Sequence, residues 1–197
     1  MRILVVGMSG HVGTSAAAAL GERHDIVGVS RSTDPAVDLL DPASITAAFR
    51  RLGRFDAVVS AFGAAPFAPA PQLTADDLTA AFEGKVLSQL NLVHLGLDAV
   101  TDGGSFTLTT GILAREPVPG GAAAAMANGA VESYVRTAAR ELPRGIRINA
   151  VSPSVLASAP EYFDAFRGFA PVSDERVGLA FVRSVEGIET GRTYPVD

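Results

Sequence analysis

Ile3 to Val6 form a short, wholly apolar run that passes directly into Gly7-Met8-Ser9-Gly10-His11-Val12-Gly13 and then into the Ala-rich stretch Thr14 to Leu20. An apolar β-branched run, a cluster of glycines and a segment of high helix propensity together specify a strand, a tight turn and a helix. The first N–H groups of that helix have no partner within it, and the positive end of its dipole faces whatever lies over the turn. Standing alone, such a turn serves only close strand-to-helix packing. At the first strand of an alternating chain it points to a dinucleotide whose phosphates sit against Gly7, Ser9, Gly10, His11, Val12 and Gly13.

The chain does alternate. Asp25 to Ser30, Phe55 to Ser60, Ser105 to Thr110, Ile146 to Val151 and Gly191 to Val196 are strand-like. Helical segments over Ser44 to Leu52, Thr74 to Val100 and Ala122 to Leu142 separate them, with a short helix near Pro160 to Arg167. Leu4-Val5-Val6 and Ala57-Val58-Val59 lack polar alternation, as strands buried on both faces do. The expected fold is therefore α/β, a Rossmann-like doubly wound parallel sheet with helices on both faces, in one domain over residues 1–197. Asp41-Pro42 and Thr74 with Asp77 supply helix-start signals. The Pro/Ala stretch from Ala64 to Pro71 is expected as a surface loop.

Composition narrows the chemistry. Sixteen Lys and Arg against 21 Asp and Glu give a net charge of -5, which supplies no broad positive field for nucleic acid or anionic lipid. There is no cysteine and there are three scattered histidines, so neither a thiolate nucleophile nor a metal site is expected. No stretch approaches the ~20 apolar residues of a membrane span, and the expected compartment is the cytosol. A single lysine, Lys85, stands among fifteen arginines.

The second strand end selects the cofactor. Val29-Ser30-Arg31-Ser32 carries no carboxylate to receive a ribose hydroxyl, and Arg31, with Ser30 and Ser32, suits an extra 2′-phosphate. NADP(H) is the expected cofactor, although Arg31 read alone is equally a solvated loop arginine.

From Ile3 to Val196 these landmarks resemble the short-chain dehydrogenase/reductase family. Asp38-Leu39 is similar to the pair that flanks the adenine in that family. Ser60-Ala61-Phe62-Gly63 falls at its Asn-Asn-Ala-Gly strand end, and Ile148 to Ser154 is similar to its sixth strand and Pro-Gly turn. The resemblance adds Pro153 and Ser158 to the cofactor residues, with Ser158 at the position of a Thr that contacts the carboxamide. It also implies a catalytic Asn, Ser, Tyr and Lys. Here the Tyr position falls at Ala124 and the Lys position at Asn128, the Ser position at Thr110 and the Asn position at Lys85. His11 replaces the second glycine of the commonest branch, which marks an atypical member.

Two readings of Lys85 stand side by side: a relocated ammonium reaching the ribose or the substrate oxygen, or a snorkelling lysine paired with Glu83 or Asp98. Leu78 and Phe82 share its helical face and are expected to point at the core. Tyr162 is a candidate substitute acid or merely a lid aromatic, while Tyr134 lies about three turns beyond Ala124. The functions that follow are hydride transfer to or from a small carbonyl or enone, with Lys85, Thr110, Asn128 and Tyr162 as the catalytic candidates, or a non-catalytic NADP(H)-binding sensor or assembly protein. A non-redox enzyme on the same fold is a third reading. Small and apolar residues on several faces of the two long helices, with the family's habit of pairing them, imply a homodimer or homotetramer.

Overall fold

The computed structural model describes residues 1–197. Six strands, β1 (Arg2–Val6), β2 (Asp25–Val29), β3 (Phe55–Ser60), β4 (Val100–Thr109), β5 (Arg147–Pro153) and β6 (Thr193–Val196), form one sheet in the order β2-β1-β3-β4-β5-β6. Every neighbouring pair is parallel. Six α-helices connect them: α1 (His11–Gly21), α2 (Pro42–Leu52), α3 (Ala75–Ala81), α4 (Ser88–Gly96), α5 (Ala122–Ala138) and α6 (Asp174–Glu186). The chain reverses its direction of winding between β1 and β3, which opens a crevice at their carboxyl ends, the place where sheets of this kind bind ligands.

Burial on both faces explains the missing polar alternation. Leu4 and Val6 enter one core with Val58, Phe106, Val131 and Ile148, whereas Ile3 and Val5 enter another with Ala16, Leu20, Val177 and Phe181. Asp41 caps α2 with Pro42 at its first position, and Thr74 and Asp77 form a reciprocal capping box on α3. Of the loop expected from Ala64 to Pro71, residues 64–69 form neither helix nor strand, and Ala70 and Pro71 begin a 3-10 turn, Ala70–Gln72.

Several expectations are corrected. The helix expected over Thr74 to Val100 is broken: a π-helical turn, Phe82–Leu87, separates α3 from α4, and Val100 already belongs to β4. The wider turn inserts an extra residue, so positions before it are rotated by roughly 100° relative to those after it. Leu78 and Phe82 therefore face outward, 39% and 42% exposed, and leave the core to Val86, Leu92 and Val93. Helix α5 ends at Ala138 rather than Leu142, and the segment after Pro160 makes only a 3-10 turn, Pro160–Tyr162. Helix α6 went unforeseen, although Ser173 caps it, Asp174 and Glu175 begin it, and Val177, Phe181 and Val185 give it a buried stripe.

Candidate active site at the carboxyl end of the sheet

The glycine turn is built by close approach. Gly7 has φ +84°, and a β-carbon there would stand 2.6 Å from the Ala61 carbonyl oxygen. A β-carbon on Gly13 would overlap the Gly7 carbonyl. Gly10 precedes α1 without a side-chain cap, and no acid lies in the first turn, so the helix presents unshielded N–H dipoles. A groove of about 260 Å³ runs from Gly7, Ser9 and Gly10 past Ser30 and Arg31 to Asp38 and Leu39, and returns along Ala61, Phe62 and Gly63. Val6, Val37 and Ala64 complete it. Asp38 spends a carboxylate oxygen on the Leu40 N–H, at 2.9 Å.

A cleft of about 460 Å³ adjoins the groove and shares Gly10, Ala61, Gly63 and Ala64 with it. His11, Val12 and Pro153 line this cleft, as do all four catalytic candidates, Lys85, Thr110, Asn128 and Tyr162. Four cofactor candidates line neither cavity. Gly13 is packed beneath Gly7, Ser32 bonds Ser30 at 3.0 Å, and Ser60 is buried at the end of β3. Ser158 donates to Asp174 at 2.7 Å, an oxygen that also receives Ser15 at 2.9 Å. That carboxylate ties the segment after β5 to α1, as does His11 Nε2 at 2.9 Å from Glu161.

Lys85 sits within the π turn and forms no ion pair, so neither Glu83 nor Asp98 holds it. Its stem crosses Gly63, which has φ +144°; a β-carbon there would overlap Lys85 Cδ and stand 3.0 Å from Nζ. Burial pushes the ammonium down to about 8. Gln89 fixes the turn from behind: its Nε2 donates to the Lys85 and Thr109 carbonyls, each at 2.9 Å, and its Oε1 accepts the Thr109 N–H at 2.9 Å.

Asn128 is buried, and its Oδ1 has no hydrogen-bond partner within the protein. Ser154 Oγ is similarly unpartnered and lines the same cleft. Buried acceptors and hydroxyls left in this state are costly unless a ligand or water completes them. Ala124 lines the wall, and its methyl group has no proton to give. Around these groups the surface is apolar, including Phe67, Ile112, Leu113 and Phe166.

Thr110 donates its hydroxyl proton to Glu132 Oε1 at 3.1 Å, an oxygen that also receives Arg115 at 2.7 Å and Ser152 at 3.3 Å. Arg115 donates in addition to Ser152 at 2.8 Å. Sequence reasoning missed this network. Its one legible signal is a carboxylate on the stripe Ala124, Ala127, Val131, Val135 of α5, four residues beyond Asn128.

The enoyl-(acyl carrier protein) reductase family model matches residues 10–188. Hydroxynaphthalene reductase arp2 of Aspergillus fumigatus is 32% identical over 142 residues, 72% of this chain and 50% of that protein, so the chain spans about half the length of this curated relative. The structure of lin1944 from Listeria innocua is 43% identical and superposes over 100% of both chains with a TM-score of 0.97. A small-chain dehydrogenase solved in complex with NADPH is 24% identical, with a TM-score of 0.88 over 100% of this chain and 96% of that one, a likeness of fold. A glycine turn at the switch point of a parallel sheet, matched over nearly the whole length by these relatives, settles the classification: the chain belongs to the short-chain dehydrogenase/reductase family.

Proposed function

We propose that this protein is an NADP(H)-dependent oxidoreductase that moves hydride between the nicotinamide and a small carbonyl or enone. The observation that carries the reading is the unpaired Lys85 ammonium, held over Gly63 in the cleft that continues the nucleotide groove. The glycine turn and the α1 N-terminus would hold the pyrophosphate, Ser30 and Arg31 the 2′-phosphate, and Asn128 Oδ1 a ribose hydroxyl or a water. When bound, the cofactor supplies or accepts the hydride. Lys85 donates to the substrate oxygen as negative charge develops there, and its pKa of about 8 allows it to pass a proton and recover it from solvent. Thr110, whose proton is engaged by Glu132, offers lone pairs to the cleft and orients a substrate or water hydroxyl. Tyr162, 54% exposed at the mouth, covers the substrate.

The test is titration with NADPH and NADH followed by a carbonyl panel. NADPH is expected to bind more tightly than NADH and to lose about 10–100-fold of its affinity in Arg31→Ala, the loss of charge-assisted hydrogen bonds. Equal affinity for both nucleotides would overturn the NADP(H) assignment, and binding of neither would overturn the reading as a whole. Ala124 favours one second reading, a nucleotide-binding sensor or assembly protein without turnover. Binding with no conversion across the panel would select it.

Assembly follows the same reasoning. Leu87 and Met126 are 39% and 41% exposed on the helical layer formed by α4, α5 and the π turn, which supports a homodimer or homotetramer paired through that layer. A monomer by light scattering at micromolar concentration would overturn it. No helix is long and apolar enough to cross a membrane, and we propose a cytoplasmic location.

A further inference from the structure

Behind the cleft, where α5 meets the β6 edge of the sheet, lies a separate recess of about 390 Å³ with no hydrophobic residue in its wall. Arg115, Arg136 and Arg192 line it with Thr193, against a single carboxylate, Glu132. One oxygen of that carboxylate receives Arg115, Thr110 and Ser152, while the other makes no hydrogen bond and leaves part of its negative charge to the recess. Arg136 has no ion-pair partner, and Arg192 meets Glu189 only through Nε, at 3.1 Å. Thr193 Oγ1 is buried without a hydrogen-bond partner. Arg115 and Arg192 each have a carboxylate partner, so the unpaired positive charge of the recess is that of Arg136, and the forked donors of arginine match carboxylate and phosphate oxygens.

We propose that this recess is a binding site for a small multivalent oxyanion, a phosphate or a polycarboxylate, distinct from the nucleotide groove. Its ligand would rest on Arg136, Arg192 and the outer side of Arg115. Because Arg115 and Thr110 share one oxygen of Glu132, an anion that draws Arg115 outward leaves that oxygen to Thr110 and Ser152 and tightens its hold on the hydroxyl that lines the cleft. The site thus has a physical route to the active site, through two hydrogen bonds.

Calorimetric titration of the whole protein with inorganic phosphate and, separately, with citrate tests this. Arg31→Ala removes the other anion-binding arginine, so the nucleotide groove is controlled independently. Arg31→Ala is expected to retain one citrate or phosphate per chain, while Arg136→Ser/Arg192→Ser weakens it about tenfold or more. The melting temperature of the parent protein should rise with the anion and that of the double variant should not, since only a ligand that prefers the folded state stabilises it. Phosphate binding without citrate, or the reverse, would identify the oxyanion class. Should the double variant fail to fold, Arg136→Gln alone touches no ion pair and must itself weaken binding. Anion binding lost in Arg31→Ala and intact in the recess variants would overturn the proposal, as would no heat with either anion at millimolar concentration. Neither outcome bears on the oxidoreductase reading, which rests on nucleotide titration.

Discussion

Lys85 lies directly over Gly63: the stem of the lysine fills the space that a β-carbon at position 63 would need. The glycine three residues beyond β3 and the lysine in the π turn are therefore one device, in which the missing side chain of one residue fixes the path of the other. Gly63→Ala would add a clash to a backbone at φ +144°, a conformation that L side chains rarely adopt. We expect a loss of about 1–3 kcal/mol in urea denaturation, with turnover falling further than stability alone explains because Nζ is displaced. Unchanged turnover would show that the position of Lys85 is immaterial.

The titration of Lys85 gives two signed expectations. The unfolded chain keeps this proton up to the ordinary value of 10.5 and the folded chain releases it near 8, so the unfolded state binds more protons between those values. The residue's contribution to stability therefore rises with pH across that window, and below pH 8 its partly buried charge is a cost. Carbonyl reduction with the ammonium as acid should fall above a pH of about 8. Denaturation of the parent protein and Lys85→Met from pH 7 to 10, with a pH–rate profile, checks both. A stability difference that stays constant across the window would contradict the first, and a flat rate profile the second.

Glu132→Leu removes the oxygen that receives Thr110, Arg115 and Ser152. The loss should be about 2 kcal/mol, below that of a fully buried pair because Arg115 is 37% exposed and water reaches part of it. Glu132→Gln, which preserves an acceptor, should recover part of this in thermal denaturation. An equal loss in both variants would assign the effect to charge alone.

Gln89→Leu is close to a shape-for-shape change, yet it strands the Thr109 N–H and carbonyl and releases the Lys85 carbonyl. Buried groups left unpaired make a loss of about 2–3 kcal/mol the expectation, with nucleotide affinity nearly unchanged because Gln89 lines neither cavity. An equal collapse of affinity would mean that the groove depends on the end of β4.

Tyr162 and Lys85 separate the two candidate acids. Tyr162→Phe should leave turnover within about twofold, since the hydroxyl belongs to a half-exposed lid residue, whereas Lys85→Met should lower it by the ~10²–10⁴-fold typical of general acid catalysis. The reverse order would move the proton donor to the lid.

Local signals carried much of this architecture. The apolar run before Gly7, the Asp41-Pro42 cap and the Thr74 box each act within a few residues, and each stands where the sequence places it. The break between α3 and α4 was hidden, because propensity and spacing do not distinguish a π turn from continuous helix; what accompanies it is the Ala64 N–H on the Gly84 carbonyl at 3.3 Å and the Gln89 bracket. Helix α6 was legible in Ser173, Asp174 and its apolar stripe, signals of the same local kind that the sequence reading passed over.

At the site the division is the same. The sequence by itself determined the strand, glycine turn and helix and the absence of an acid after Val29, because each is a property of the residue present at one position or of backbone within a few residues of it. Only the tertiary structure decided that Lys85 is unpaired and bent over Gly63, that Thr110 gives its proton to Glu132, and that Ser158 turns to Asp174 instead of the cleft. Those outcomes depend on partners 16 to 22 residues away in the chain, whose approach is set by packing of helices on the sheet rather than by any local preference.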